Sequence, residues 1–184
     1  MEDLLITLTQ DKEPYIKELT KDKIINLTGE SGSGKSYYAN QFRNNSNYVI
    51  VDTDELFKKN DDSNTTIKEL RMFFKNKYGN NIPDLIIDFD ICYKDIVSFF
   101  ENSGKTIIVD SAQFRNTKDL SILKGTVIIM RTCIDTCYKR CIDRWIANNQ
   151  QGSELEKENY KSKKKRVYDW YHSLNDFMIK IHDL

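Results

Sequence analysis

The clearest pattern in the chain is the segment Gly29-Glu30-Ser31-Gly32-Ser33-Gly34-Lys35-Ser36. It holds three of the seven glycines and satisfies the pattern G-x-x-x-x-G-K-[ST]. Glycines let the backbone curl so that successive N–H groups face an anion, and a helix that starts there adds its positive end. In this pattern the lysine reaches the β and γ phosphates of a nucleotide, and the last hydroxyl ligates magnesium. The segment therefore predicts a phosphate-binding loop with Lys35 on the phosphates and Ser36 on Mg²⁺.

Short apolar runs alternate with longer helical patterns on both sides of this loop. The predicted strands are residues 24–27, 48–51, 106–109 and 127–130. The predicted helices are residues 35–43, 65–78, 88–101, 134–147 and 155–181, and residues 3–9 fit either a helix or an edge strand. Alternating strands and helices favour a parallel sheet with crossover helices. We therefore predict an α/β fold of the P-loop NTPase type, with four to five parallel strands, helices on both faces, a helical lid and a long C-terminal helix.

The length of 184 residues suits a single domain, which we place at residues 1–184. Within it we expect an N-terminal extension at residues 1–22, substrate-side helices at 63–101 and a lid at 145–160. The sequence contains no internal repeat and no low-complexity linker that would divide it.

Charge and hydropathy limit the partners that we expect. Lysine plus arginine balance aspartate plus glutamate, 28 against 28, so the net charge gives no case for nucleic acid or membrane. No apolar run approaches the ~20 residues needed to cross a bilayer, and Glu2 and Asp3 are unlike the start of a signal peptide. We expect a cytoplasmic protein whose partners are a nucleoside triphosphate and a small-molecule acceptor. The basic run at 161–166 is interpreted as a solvated helical face, with phosphate or nucleic-acid contact as the alternative.

Carboxylates follow the second and third predicted strands. Asp52 and Asp54 follow the second, and Asp110 follows the third. Because ligands bind at the carboxyl ends of parallel strands, we expect these side chains at one edge of the sheet. We assign Asp52 and Asp110 to the magnesium shell, and Asp54 to the acceptor as the base that takes the hydroxyl proton. The alternatives are helix capping or dipole compensation for Asp52 and Asp54, and a turn at the strand end for Asp110.

Arginines provide the candidate anion contacts. Arg115 lies shortly after the third strand and is expected to bind an anionic group of the acceptor, with a solvated arginine as the alternative. Arg140 and Arg144 lie one turn apart on the helix predicted at 134–147, so they share a face. We expect both guanidinium groups to face the triphosphate and to stabilise charge during phosphoryl transfer. The alternative for this pair is surface pairing with acidic neighbours.

Together these motifs resemble the small-molecule kinases of the P-loop superfamily over roughly residues 23–145. The glycine-rich segment resembles that of gluconate kinases, and Asp52-Thr53-Asp54 resembles the Asp-Thr-Asp of shikimate kinases. Arg140 and Arg144 are similar to the R-x-x-x-R that opens the lid of adenylate kinases. The resemblance implies ATP and Mg²⁺ as cofactors, Asp52 near the metal, Asp54 on the acceptor hydroxyl, Arg140 on the adenine and Arg144 on phosphates.

The expected function is therefore an ATP-dependent phosphotransferase that moves the γ-phosphate to a small-molecule hydroxyl or phosphate acceptor. No fifth strand with an adenine-binding loop is evident after the predicted lid. That feature favours one alternative, a nucleotide-binding module with slow or no turnover. A second alternative, a kinase of nucleic-acid ends, is supported only by the basic run at 161–166.

Overall fold

The computed structural model describes residues 5–9, 23–57, 65–149 and 154–182 of the chain. Its strands are β1 (Leu5–Thr9), β2 (Ile24–Gly29), β3 (Tyr48–Asp52), β4 (Thr106–Asp110) and β5 (Thr126–Arg131). Its helices are α1 (Lys35–Asn40), α2 (Thr53–Leu56), α3 (Thr65–Tyr78), α4 (Phe89–Phe100), α5 (Ile134–Asn149) and α6 (Glu154–His182). Two 3₁₀ turns, Ala112–Asn116 and Leu120–Ile122, lie between β4 and β5.

The five described strands form one parallel sheet in the order β1-β5-β2-β4-β3. The strand before the glycine-rich segment, β2, lies in the middle, with β5 on one side and β4 on the other. The register places Asp52, at the end of β3, directly opposite Asp110, at the end of β4. These two carboxylates therefore share the carboxyl edge of the sheet, as the sequence predicts.

Alternate side chains of the central strands enter two apolar layers, one on each face of the sheet. In the first layer, Ile25 and Leu27 of β2 pack with Ile108, Ile128 and Tyr38. The second layer joins the opposite faces of the strands to α3, α4 and α6, through Val51, Val109, Ile129, Leu70, Phe74, Ile96, Leu174 and Phe177. The predicted α/β architecture with helices on both faces is confirmed.

The long C-terminal helix, α6, is present and docks through one face. Val167, Leu174 and Phe177 are buried at the spacing of a single helical stripe. Burying an apolar side chain of this size contributes roughly 1.5–3 kcal/mol, so this docking is a substantial part of the fold's stability. None of the described helices is long and apolar enough to cross a membrane.

The structure decides one segment that the sequence left open and shortens one predicted helix. Residues 5–9 form an edge strand, not a helix, and pair in parallel with β5. The fifth strand of the sheet therefore comes from the segment expected as an N-terminal extension, before the glycine-rich segment and not after the lid. The first helix ends at Asn40, earlier than expected, because Phe42 and Arg43 continue the chain in hydrogen bonds that span only three residues.

The segment predicted as a lid, 145–160, is helical at both ends, and only its middle lies outside the described residues. The first of the two helices, α5, reaches Asn149, and α6 begins at Glu154. Residues 150–153, between the two helices, lie outside the described part of the chain. The helices expected on the substrate side, at 63–101, correspond to α3 and α4 and pack in the second apolar layer. Their role toward a substrate stays a prediction.

Candidate functional site

Residues 29–36, which we call the glycine loop, run from the end of β2 at Gly29 through a turn to the start of α1 at Lys35. Gly32 and Gly34 have φ angles of 86° and 100°, a region that side chains with a Cβ rarely adopt. A Cβ on Gly32 would lie 2.6 Å from the carbonyl oxygen of Cys137 on α5. A Cβ on Gly29 would lie 2.6 Å from the carbonyl oxygen of Met130 on β5. The glycines are therefore required both by the curl of the loop and by its close contact with β5 and α5.

Hydrogen bonds hold the glycine loop in this shape. The Ser33 amide donates to the Glu30 carbonyl at 3.0 Å, which closes the turn. The Thr132 hydroxyl, just beyond β5, donates to the Ser33 carbonyl at 2.9 Å. The Lys35 ammonium group donates to the Glu30 carbonyl at 3.1 Å, so it folds back over the loop and not outward into solvent.

One face of α5 lies against the glycine loop. Arg140 Nη1 donates to the Gly32 carbonyl at 3.0 Å, and Arg144 Nη2 donates to the Ser31 hydroxyl at 3.2 Å. The Cys141 thiol lies between these arginines and donates to the Ser31 carbonyl at 3.3 Å. The structure thus brings the predicted arginine pair to the loop, where both guanidinium groups can approach an anion bound there.

Asp110 is a buried carboxylate at the end of β4, and its Oδ2 atom has no hydrogen-bond partner among the described residues. Burial raises the pKa of Asp110 to about 6, and the negative charge of Asp52 adds to the rise. Lys35 and the Ser36 hydroxyl act in the opposite direction and lower this pKa. A cation beside Asp110 would add to the positive charge of Lys35 in stabilising this buried carboxylate.

Asp52 has a capping role in addition to its place at the sheet edge. Its Oδ1 accepts hydrogen bonds from the backbone amides of Asp54 and Glu55, at 2.9 and 3.3 Å. Asp52 therefore caps the N-terminus of α2, which is the alternative that the sequence left open. The short helix α2 that follows is tied to β4, because the Thr53 hydroxyl bonds to the Ser111 hydroxyl at 2.8 Å.

The Asp54 side chain is exposed at the carboxyl edge of the sheet. Its charge raises the pKa of Asp110 and also raises that of Arg115, so it lies within electrostatic reach of both. The structure therefore brings Asp54, Asp110 and Arg115, which were predicted to contact the metal or the acceptor, into one region. Their functional roles stay predictions.

Glu30, the second residue of the glycine loop, is 3% exposed, and its Oε2 atom has no hydrogen-bond partner among the described residues. Burial raises the pKa of Glu30 to about 7, against the lowering effects of Arg115 and Lys35. Burial in turn lowers the pKa of Arg115, and Glu30 partly restores it. A buried acid thus joins the loop to the predicted acceptor arginine, an arrangement for which the sequence pattern gives no signal.

Trp170 of α6 is also part of this region, although the sequence suggests only a packing role. The guanidinium carbon of Arg115 lies 4.4 Å from the centre of the Trp170 ring, and that of Arg166 lies at the same distance. Arg166 belongs to the basic run that the sequence assigns to a solvated face. The helical period reports which residues share a face, but not which distant turn that face will meet.

Other groups that could carry chemistry have structural partners. The described residues contain no cluster of three or more His, Cys, Asp or Glu side chains suited to a metal ion. Cys137 is buried, and burial raises the pKa of its thiol to about 11. Arg131, at the end of β5, donates to Asn175 Oδ1 at 3.1 Å and so fastens α6 to the sheet.

The comparisons with known proteins give likenesses to solved structures, of which 29 chains match. No protein-family model and no curated protein matches the chain. A chain in the structure of the Pnkp1/Rnl/Hen1 RNA repair complex is similar to it, with 18% sequence identity and a TM-score of 0.49. The likeness covers 85% of this chain and 45% of that one, so this chain spans less than half the length of the protein it resembles.

Proposed function

We propose that this chain is a P-loop phosphotransferase that moves the γ-phosphate of Mg²⁺–ATP to a hydroxyl or phosphate group of a small-molecule acceptor. The observation that carries the proposal is the grouping of Lys35, Ser36 and Asp110 between the glycine loop and the end of β4. A phosphate-reaching ammonium, a hydroxyl and a carboxylate are the groups that a magnesium nucleotide needs at such a loop.

The glycine loop fits a nucleotide phosphate by its shape. Gly29 and Gly32 pack against the carbonyl oxygens of Met130 and Cys137, where no side chain fits, and a glycine-rich turn of this kind lets successive backbone N–H groups face an anion. Lys35, Arg140 and Arg144 add positive charge around the loop. Each of them donates to a carbonyl or hydroxyl oxygen of the loop, and phosphate oxygens can replace these oxygens as acceptors.

The groups present also fit Mg²⁺. The Oδ2 atom of buried Asp110 has no hydrogen-bond partner among the described residues and can accept from a metal-bound water, and Ser36 and Asp52 lie beside it. Protein sites usually hold Mg²⁺ through one or two oxygens, with water and phosphate oxygens completing the octahedron. When bound, the ion neutralises charge on the β and γ phosphates. We assign Ser36 to direct contact, and Asp110 and Asp52 to the surrounding shell.

Asp54 is the proposed acceptor-side base. It is exposed where an acceptor can reach it, and it lies within electrostatic reach of both Asp110 and Arg115. The acceptor oxygen forms a bond to the γ-phosphorus while the bond from that phosphorus to the β–γ bridging oxygen breaks. The hydroxyl proton passes to Asp54, and ADP leaves with the electron pair of the broken bond. Arg140 and Arg144 stabilise the transferred charge.

The test is a screen of hydroxyl-bearing metabolites for ATP-dependent phosphorylation, with ADP release and product mass as the two readouts. We expect one acceptor class to be phosphorylated by the wild-type chain and not by Lys35→Ala. ATP hydrolysis that no acceptor stimulates, with no phosphorylated product, would contradict the proposal and favour a nucleotide-binding module.

A further inference from the structure

Arg115 and Arg166 come from distant parts of the sequence and meet on one aromatic ring. Arg115 lies in the 3₁₀ turn after β4, whereas Arg166 lies one turn before Trp170 on α6. Each guanidinium carbon lies 4.4 Å from the centre of the Trp170 ring. Stacking on indole fixes the plane of a guanidinium group and leaves its N–H donors free to bind a ligand.

The charge of this pair is not balanced by direct contacts. Among the described residues, neither guanidinium group makes a hydrogen bond or an ion pair. Burial and the neighbouring charge of Arg166 both lower the pKa of Arg115. The pair therefore holds two like charges close together on an apolar platform, an arrangement that an anion would stabilise.

The position of the pair relates it to the proposed acceptor. Glu30 of the glycine loop and Asp54 both act electrostatically on Arg115, so the pair lies beside the loop on the side of the proposed base. Lys35, which faces the phosphates in the proposed function, also acts on Glu30. In the proposed function the acceptor lies on the side of Asp54, so a group bound to the pair belongs to the acceptor.

We propose that Arg115 and Arg166, held on Trp170, bind a phosphate group carried by the acceptor, so that the substrate is a phosphorylated hydroxyl compound. Two guanidinium forks match the charge and the several oxygens of a phosphate monoester better than those of a single carboxylate. This inference rests on the proposed phosphotransferase function. The phosphate can belong to a small sugar phosphate or to a nucleotide end, and the experiment separates these sources.

The first test measures binding of inorganic phosphate in the full chain with Trp145→Phe, which leaves Trp170 as the single tryptophan. Lys35→Ala is added to this variant so that phosphate bound at the glycine loop does not contribute. We expect a saturable change in Trp170 fluorescence, because a ligand on the guanidinium groups alters the ring's surroundings. Arg115→Gln and Arg166→Gln should each weaken this binding by about tenfold or more.

Lys165→Gln is the matched control, since Lys165 is exposed, adjoins Arg166 on α6 and loses the same charge. It should leave phosphate affinity within about twofold, as expected for a screened surface charge. Arg166→Lys keeps the charge but removes the planar fork, so it should recover only part of the affinity and also guards against a folding defect. Equal phosphate affinity in the two glutamine variants and the parent chain would overturn the inference.

The second test compares acceptors in the kinase assay: sugar phosphates, nucleoside monophosphates and short oligonucleotides ending in phosphate, each beside its dephosphorylated form. We expect one phosphorylated compound to be preferred, with its KM raised about tenfold or more by Arg115→Gln while the KM for ATP is unchanged. Equal kcat/KM for a dephosphorylated form would overturn the inference but leave the kinase in place. Phosphate binding at the pair without any ATP binding would support the site and contradict the kinase.

Discussion

The buried carboxyl of Glu30 makes the free energy of unfolding depend on pH. Its ordinary pKa is 4.5, and burial beside Arg115 and Lys35 leaves it at about 7 in the folded chain. Between these values the folded state binds more protons than the unfolded state, so the free energy of unfolding falls as pH rises from 4.5 to about 7. The stability contribution of the neutral acid is complete below this window and lost above it.

Glu30→Gln should therefore stabilise the chain at pH 8 by about 3 kcal/mol, since the pKa rises from 4.5 to about 7 and each unit is worth about 1.4 kcal/mol. At pH 4, where the wild-type carboxyl is neutral, the difference should nearly vanish. Urea unfolding at the two pH values measures it. Glu101→Gln, at an exposed glutamate, is the control and should show no such difference between pH 4 and pH 8. A Glu30→Gln effect that is the same at both pH values would show that the carboxyl is not held neutral in the fold.

Asp54→Asn should lower turnover far more than it lowers ATP affinity. General-base help is typically worth ~10²–10⁴-fold in rate, and the exposed position of Asp54 leaves the fold little dependent on its charge. Steady-state kinetics on the identified acceptor, with ATP affinity measured separately, test this. The other account treats Asp54 as an acidic residue in the first turn of α2, worth about 0.3–1 kcal/mol of stability. Near-normal turnover with a lowered melting temperature would favour that account.

At the scale of elements, the contact between the glycine loop and α5 should tolerate no side chain at Gly32. Gly32→Ala places a Cβ 2.6 Å from the Cys137 carbonyl, whereas Gly104, which has a φ of 69°, has nothing within 4 Å. Gly32→Ala and the control Gly104→Ala should both introduce backbone strain of about 1–3 kcal/mol, because both glycines have a positive φ. Gly32→Ala should cost about 1–3 kcal/mol more because α5 must shift, and it should also weaken ATP binding. Urea unfolding of the two variants supplies the comparison, and equal losses would contradict the close contact.

The elements themselves were largely predictable, because each depends on a local pattern. The glycine-rich segment, the apolar runs that end at Asp52 and Asp110, and the periodic stripe of α6 mark their own structures in the sequence. Residues 5–9 were ambiguous because an apolar run of this length suits a helix or a strand, and only the exposed edge of β5 decides for the strand. Long-range pairing, which no local pattern encodes, supplied that missing information.

The part of the candidate site that depends on sheet topology was predictable from the sequence, and the part that depends on long-range packing was not. Strand ends in a parallel sheet place Asp52, Asp54 and Asp110 at one edge, and this follows from topology. The contact of both arginines with Trp170 requires α6 to pack against the 3₁₀ turn after β4, which depends on tertiary packing. Sequence periodicity shows that Arg166 and Trp170 share a helical face, yet it cannot show what that face contacts.

At the scale of the whole molecule, Mg²⁺–ATP should raise the melting temperature. A ligand that binds only the native state at 100 times its Kd adds about 2.7 kcal/mol, and a domain of this size gains about 2–4 °C for each kcal/mol. A rise of about 5–10 °C is therefore expected in a thermal scan. The same scan with Mg²⁺ alone is the control, since the proposed shell depends on phosphate oxygens to complete the coordination.

The central claim is that the glycine loop binds the phosphates of a magnesium nucleotide. Isothermal titration of ATP into the wild-type chain and into Lys35→Ala, with and without Mg²⁺, tests it most directly. Among the described residues, the Lys35 ammonium donates a hydrogen bond only to the Glu30 carbonyl, so its removal should leave the fold intact. We predict saturable binding that requires Mg²⁺ for full affinity and is lost in Lys35→Ala. Equal ATP affinity in the two folded proteins, or no binding by the wild-type chain at millimolar ATP, would contradict the account.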